Sequence, residues 1–316
     1  MWDVAKPNPM SNVRVQQEGG LRRMRGEGDH PRCLVGIALT LLTIPVPIAY
    51  AQGHASGIND REAVELVREV MRNEIDAQLR DASLWCYREQ RQDDGKANKT
   101  LEVCQTKDGD LERLIAVDGK QLNAAQRQAE DQHLQQVIHH PDQLHAKQRK
   151  DREDGDQQRY ILKILPDAFL FHCESKSGDV VTLRFRPNPA FHSFTRASLV
   201  FHHMEGTLIV EDRQKRLVEI NGRLTSEVRF AGGLLGHLDK DGTFVVKQRN
   251  VGEGHWDLTY MSVHMNGKIL FFKTINELQK ETLADYQPLP RDATLQQAAD
   301  FLQHDFGLHS TASSGR

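Results

Sequence analysis

The chain has 316 residues, of which 38% are hydrophobic and 27% charged, a composition typical of a soluble globular protein rather than a disordered or membrane-embedded one. Its formal net charge of -3 provides no basic surface for nucleic acid, so we expect no nucleic-acid partner. The length allows one large domain or two ordinary ones.

The N-terminal region carries the pattern of an export signal. Several arginines precede an apolar run over residues 33–51, which ends in the small-residue pattern A-Y-A. A basic region, an apolar region and an A-x-A site together are typical of a secretory signal peptide. The alternative is an uncleaved membrane anchor, which Pro45 and Pro47 disfavour. We therefore expect cleavage near Ala51 and a mature protein that is periplasmic or secreted.

Export would place the cysteines of the mature chain in an oxidising compartment. Cys86 and Cys104 lie in two strand-like runs on either side of a turn signal, D-D-G-K, at residues 93–96. In a hairpin about that turn the two cysteines fall opposite each other or one residue off, so a disulfide is geometrically possible. The alternative is a pair of small buried residues, and the sequence leaves both open. Cys173 alternates with aromatic residues and is predicted to be a core thiol.

Helices and strands alternate along the first half of the mature chain. Three helices are predicted there, at residues 60–79, 122–138 and 142–165. Asn59 and Asn123 have the chemistry of N-caps for the first two helices, and Pro141 separates the second from the third. Gly155 is a candidate break in the third helix, whose first half is very polar. Three strand-like runs fall between the first and second helices, over residues 84–118.

The main β-rich region covers residues 198–287. Segments of about ten residues alternate apolar and polar side chains, which is typical of antiparallel strands with one wet face. Val218 and Ile220, for example, share one face. Asn266-Gly267 predicts a type I′ hairpin turn. No helix of ten residues is predicted between these strands, so we expect each strand to lie beside its sequence neighbour.

These elements predict an α+β fold, in which a strongly curved antiparallel β-sheet, or half-barrel, contains about nine to ten strands. The concave face of such a sheet needs an apolar cover, and the predicted helices are the sizeable candidates. We divide the chain into an N-terminal extension with signal peptide, a half-barrel domain and a C-terminal extension, at residues 1–51, 52–290 and 291–316.

The order of these elements resembles the LolA-like carriers of lipoproteins and lipids. Residues 206–222 (GTLIVEDRQKRLVEING) are similar to the central hairpin of that family, in which one strand ends at an acidic turn and a basic residue restarts the chain. The resemblance covers residues 59–287 and implies an unclosed β-barrel with helices as its lid. It also implies an arginine on an inner strand that holds the closed lid. The strand candidates for that role are Arg184, Arg186, Arg223 and Arg229.

We therefore expect an exported cell-envelope protein, not an enzyme, that binds a lipid, an acylated or another apolar ligand in the half-barrel cavity, as a carrier or sensor. Burial of the ligand would contribute about 0.8 kcal/mol per methylene. The predicted cavity residues are Leu208, Val210, Val218, Ile220, Phe230, Val263, Met265, Phe271 and Phe272. A transient membrane or envelope protein partner is also expected. The alternative is a structural or assembly protein of the envelope whose cavity is filled by its own side chains.

The sequence contains no motif that identifies a reaction. It lacks the G-x-S-x-G pattern of a nucleophile elbow, and the histidines around Pro141 lack the i, i+4 spacing of a zinc-binding helix. We therefore predict no catalytic residues, no cofactor and no metal. Trp256 has two interpretations, as a rim aromatic packed over the barrel mouth or as a residue that gates a ligand.

Overall fold

The computed structural model describes residues 58–192, 195–233, 236–269 and 273–306. These residues all belong to one compact unit, Gly53–Arg316. The predicted signal peptide lies outside the described residues, and so do the predicted cavity residues Phe271 and Phe272. In the described part of the chain, the helices are too short or too polar to cross a membrane.

The part of the chain that the structure describes contains three long helices, α1 (Asp60–Arg80), α2 (Ala124–His139) and α3 (Asp142–Ala168). The side chains of Asn59 and Asn123 cap α1 and α2, each within a complete capping box, so both predicted N-caps are confirmed. Helix α3 begins directly after Pro141 and continues through Gly155 without a break. The third helix is therefore one rod, although its sequence contains a helix-weakening residue near the middle.

In the residues that the structure describes, thirteen strands form one sheet, and their pairings are antiparallel. They are β1 (Leu84–Asp93), β2 (Lys99–Cys104), β3 (Leu111–Val117), β4 (Lys120–Gln121), β5 (Phe169–Ser177), β6 (Val180–Pro187), β7 (Met204–Glu211), β8 (Arg216–Leu224), β9 (Val228–Phe230), β10 (Gly236–Leu238), β11 (Thr243–Gly252), β12 (His255–Ile269) and β13 (Lys273–Leu289). The strand order is β4-β3-β2-β1-β13-β12-β11-β8-β7-β6-β5, with the β9–β10 hairpin attached to β12 beside this path.

The sheet does not close, because β4 and β5 are its two end strands. The predicted fold class, α+β with an open antiparallel sheet and helices, is confirmed. The strand count exceeds the prediction because β4, β9 and β10 contain only two or three residues each. Strands this short are too brief to show an alternating pattern in the sequence.

The prediction of a hairpin turn at Asn266-Gly267 is wrong. Strand β12 runs through both residues, pairing with β13 on one side and with β10 at Gly267 on the other. A Cβ atom at Gly267 would overlap the carbonyl oxygen of His237 in β10. Glycine is therefore present here because another strand approaches closely, and this requirement mimics a turn signal in the sequence.

Helices α1 and α3 pack on one face of the sheet, which we call the inner face. The largest core cluster joins these two helices to β5–β8. Near the other end of the sheet, Lys147 of α3 forms an ion pair with Glu112 of β3. Helix α3 therefore extends across the inner face from β3 to β5.

Helix α2 lies on the opposite, outer face, so only two of the three predicted covering helices share the inner face. Its buried residue Leu134 packs against Cys86, Cys104 and Leu111. The C-terminal segment, α5 (Leu295–Asp300) followed by one π-helical turn, completes this cluster. Cys86 and Cys104 are directly opposite each other in β1 and β2 and are joined by a disulfide.

Candidate functional site

A groove of about 690 Å³ lies between the helices and the inner face of the sheet. We call it the inner groove. Its walls are the C-terminal end of α1 and Gln158 of α3, and its floor belongs to β11 and β12. The apolar floor residues are Val246, Trp256, Leu258 and Met261. The volume falls within the range of pockets that hold small molecules, which is about 300 to 1,000 Å³.

The apolar floor continues beyond the groove along the inner face. Ile220 lies opposite Val246, which lies opposite Met261, so the three form one row across three strands. Val263 and Met265 follow Met261 at alternate positions and therefore face the same side. All five side chains are half-buried. Of the predicted cavity residues, Val263 thus continues the floor of the inner groove along β12, whereas Ile220 and Met265 share this face but pack against the main core.

The other described cavity candidates lie elsewhere. Leu208 and Val210 are completely buried beneath the helices, where they are part of the main core. Val218 is half-buried next to an irregularity in the β7–β8 register, and Phe230 packs against the main core from β9. Alternation along a strand assigns a residue to a face, but it does not reveal which part of that face the helices cover.

A buried ion pair fastens α1 to the sheet at one wall of the inner groove. The Glu74 carboxylate lies 3.0 Å from Nη2 of Arg216 and accepts a hydrogen bond of 2.8 Å from the backbone N–H of Leu217. Burial raises the pKa of Glu74, and the Leu217 N–H and Arg216 act against this effect. The Arg216 guanidinium also lies over the Trp256 ring, 5.6 Å from its centroid. Trp256 is therefore a floor residue packed against this pair.

Arg216 is a strand arginine that contacts α1, and the sequence did not single it out. The candidates Arg184, Arg223 and Arg229 instead form ion pairs within the sheet region, with Glu174, Glu205 and Glu227. The sequence signal for Arg216 is its position at the start of β8, where a basic pair restarts the chain after the acidic turn. Its partner on α1 is distant in the sequence and had no visible signal.

His255 connects the end of α1 to the rim of the inner groove. Its Nδ1 lies 2.6 Å from an Asp81 oxygen, its Nε2 lies 3.2 Å from an Asp257 oxygen, and its ring stacks on Trp85 with centroids 4.8 Å apart. Burial opposes the charged imidazolium, but the carboxylates of Asp257 and Asp81 outweigh burial and raise the pKa of His255. The rim therefore contains a histidine between two carboxylates that favour its charged form.

A second cavity of about 330 Å³ shares Asp257 and Leu258 with the inner groove. We call it the acid pocket, because six of its lining residues are carboxylates, namely Glu89, Asp110, Glu112, Asp151, Asp257 and Glu281. Arg91 of β1 lies opposite Glu281 of β13, which lies opposite Met261 of β12. The floors of the two cavities therefore belong to the same inner face.

The largest groove, of about 1120 Å³, lies on the outer face over β6–β8, β11 and β12. Its charged side chains are largely paired with each other or with a neighbour on the same sheet. Lys247 lies 2.9 Å from Glu219, and Arg223 lies 2.6 Å from Glu205. This arrangement is typical of a solvated face of a sheet, where cross-strand pairs of opposite charge stabilise the strands.

Comparisons with known proteins do not identify a family for this chain, so its class has to be argued from its geometry. No protein-family model matches the chain. No curated protein matches it either. Among solved structures, a DUF1329 family protein from Desulfovibrio piger ATCC 29098 aligns with a TM-score of 0.27 and 9% identity, over 73% of this chain and 93% of that chain. An alignment at this TM-score defines neither a shared fold nor a shared function.

Proposed function

We propose that this chain is an exported, non-enzymatic binding protein of the cell envelope that holds a lipid, an acylated or another apolar ligand in the inner groove. The observation that carries this proposal is the pair Val246 and Met261, which lie opposite each other in β11 and β12, line the open inner groove and stay half-buried. Apolar ligand surface buried there would be stabilised by about 0.8 kcal/mol per methylene.

Helix α1 would act as the lid of this cavity. Two charged contacts hold it against the sheet, one from Glu74 to Arg216 and one from Asp81 to His255. Both lie at the wall of the inner groove, so a ligand that enters from this side must pass them. Release would then require that these pairs separate or shift, which couples ligand exchange to the position of α1.

Two observations support location outside the cytoplasm. The N-terminal sequence combines basic, apolar and small-residue segments in the order of a secretory signal. The disulfide between Cys86 and Cys104 is typical of oxidising compartments such as the periplasm. A transient partner in the membrane or envelope would deliver or accept the ligand.

Native mass spectrometry of the chain from residue 52 onward, purified from the exported fraction, tests the proposal. We expect a co-purified lipid that is lost on gentle denaturation, and uptake of a fluorescent fatty acid by the stripped protein. Met261→Trp should fill the groove and weaken this uptake at least about tenfold. Ser262→Trp, one residue along on the opposite face of β12, is the matched control and should retain it.

A clean apo mass, together with no fatty-acid uptake by the wild-type protein, would overturn the binding proposal. It would favour the alternative of a structural or assembly protein of the envelope. Equal loss of uptake in both tryptophan variants would also count against the inner groove as the site, because Ser262 does not face it.

A further inference from the structure

The acid pocket has a large excess of negative charge. Its lining contains six carboxylates but only two cationic side chains, Arg91 and Lys147. Both cations are already engaged, because Arg91 donates hydrogen bonds of 2.7 and 3.0 Å to Glu89 and Lys147 pairs with Glu112. The negative charge of the remaining carboxylates is therefore left without an equal number of cations inside the pocket.

Asp110 is a half-buried carboxylate of the acid pocket. It makes neither a hydrogen bond nor an ion pair within the part of the chain that the structure describes. Burial raises the pKa of Asp110 to about 6, with Lys147 acting against the shift and Asp151 and Glu112 adding to it. A cation that entered the pocket would relieve this repulsion.

Tyr87 supplies a second, independent indication of a ligand. Its side chain is 8% exposed and lines the pocket, yet its hydroxyl has no hydrogen-bond partner among the described residues. The hydroxyl of a tyrosine this buried usually has a hydrogen-bond partner. The nearby charges of Asp110 and Glu89 raise the pKa of Tyr87 in addition to burial, so the hydroxyl stays protonated. The Tyr286 ring lies 5.2 Å from the Tyr87 ring.

We propose that the acid pocket binds an ammonium group. An ammonium carries three N–H donors and one positive charge, which suit the Asp110 carboxylate and the Tyr87 hydroxyl oxygen. The ring of Tyr87, which lines the pocket, can add a cation–π contribution. A primary amine fits a cavity of about 330 Å³ with carboxylates spread around its wall. Across the described residues, no three His, Cys, Asp or Glu side chains converge tightly enough for a metal ion.

The ammonium group could come from two sources. One is a free small amine that occupies the acid pocket alone. The other is the cationic end of an amphiphile whose apolar chain lies in the inner groove, since Asp257 and Leu258 line both cavities. This second source rests on the proposed function, whereas the first does not. Putrescine and dodecylamine distinguish the two, with dodecanoate as a control for the apolar chain without the ammonium.

Isothermal titration calorimetry on the folded protein, at neutral pH and low salt, provides the test. We expect at least one of the two amines to bind, and Asp110→Asn to weaken that binding at least about tenfold. Asp156→Asn removes a carboxylate from an exposed, paired position on the same helix as Asp151 and should leave affinity unchanged. Tyr87→Phe keeps the ring but removes the hydroxyl, and should weaken binding about threefold or more.

The pattern across ligands separates this inference from the proposed function. Binding of dodecylamine that is lost in Met261→Trp, with no binding of putrescine, identifies the head group of an amphiphile. Binding of putrescine that survives Met261→Trp identifies a free amine. The acid pocket would then be an ammonium site even if the inner groove held no lipid. Failure of both amines to bind, or equal affinities in the Asp110 and Asp156 variants, would overturn the acid pocket as an ammonium site.

Discussion

At the scale of single residues, the charged side chains that cross from a helix to the sheet have the clearest roles. Glu74 joins α1 to the start of β8, and its carboxylate is satisfied by the Arg216 guanidinium and the Leu217 N–H. Both members of this ion pair are largely buried, so neither charge can be solvated if the other is removed. The pair therefore sets where α1 lies as well as how stable the fold is.

Glu74→Ala should lower the free energy of unfolding by about 3 kcal/mol or more, because it leaves the buried Arg216 charge without its partner. Urea unfolding at pH 7.5 measures this loss. Glu69→Ala is the matched control, since Glu69 is exposed on the same helix and lies 3.5 Å from Lys215. It should change stability by about 0.5 kcal/mol or less. A similar effect of both substitutions would contradict the role of the buried pair.

His255 should make stability depend on pH. Its pKa in the folded state is raised above the usual 6.5 by Asp257 and Asp81 despite burial. The stabilisation from its protonated form is therefore complete below about pH 6.5 and is lost as the pH rises through the folded-state pKa. His255→Gln should lower the melting temperature more at pH 6 than at pH 9. His139→Gln, on the exposed surface of α2, should show no such difference.

At the scale of the element, close packing between strands explains two glycines that the alternation pattern does not. Gly206 and Gly222 lie directly opposite each other in β7 and β8. A Cβ atom at Gly206 would overlap the backbone of β8, and one at Gly222 would lie 2.6 Å from the Phe244 ring. Aromatic side chains from the flanking strands β6 and β11 cover these positions, which preserves a continuous inner face.

Helix α3 offers a direct test at the same scale. Gly155 lies inside this helix, and a Cβ atom there meets only Arg159 Nη1 at 3.4 Å. Gly155→Ala should therefore stabilise the protein by about 0.5 to 1 kcal/mol in thermal or urea unfolding. The same substitution at Gly178, where φ is +58° in the β5–β6 turn, should destabilise it. Absence of any gain at Gly155 would contradict a continuous helix.

At the scale of the whole molecule, the last strand and the last helix tie the chain together. Strand β13 pairs with β1 and so joins the N-terminal strands to the rest of the sheet. Beyond it, Ala298, Ala299 and Leu302 are buried against the Cys86–Cys104 pair, and the Leu302 carbonyl accepts a hydrogen bond of 2.9 Å from Arg113. The C-terminal segment is therefore part of the packed structure through Phe306.

A chain that ends after Pro290 should lose this packing. Removal of the three buried side chains should lower stability by about 3 kcal/mol or more and expose an apolar surface on the outer face. A chain that ends after Phe306 keeps α5 and the π-helical turn and should match the full protein. Urea unfolding and binding of a hydrophobic dye measure the two effects. Equal stability of both truncated chains would contradict the role assigned to the C-terminal segment.

The sequence by itself determined the elements, because their signals are local. Capping residues such as Asn59 and Asn123 act within one helical turn, and alternation along a strand reflects its own two faces. The turn at residues 93–96 also predicted a hairpin that brings Cys86 opposite Cys104 or one residue off, and the structure shows that the two are directly opposite. The class of fold followed from the order of these elements.

Only the tertiary structure decided which parts of the inner face stay open and which side chains meet there. Leu208 and Ile220 are equivalent in pattern, yet one is completely buried and the other only half-buried, because the helices cover only part of the sheet. The Glu74–Arg216 pair and the acid pocket bring together residues from separate strands and helices. Such contacts depend on curvature and on helix placement, which the summed packing of the whole chain determines and no local pattern encodes.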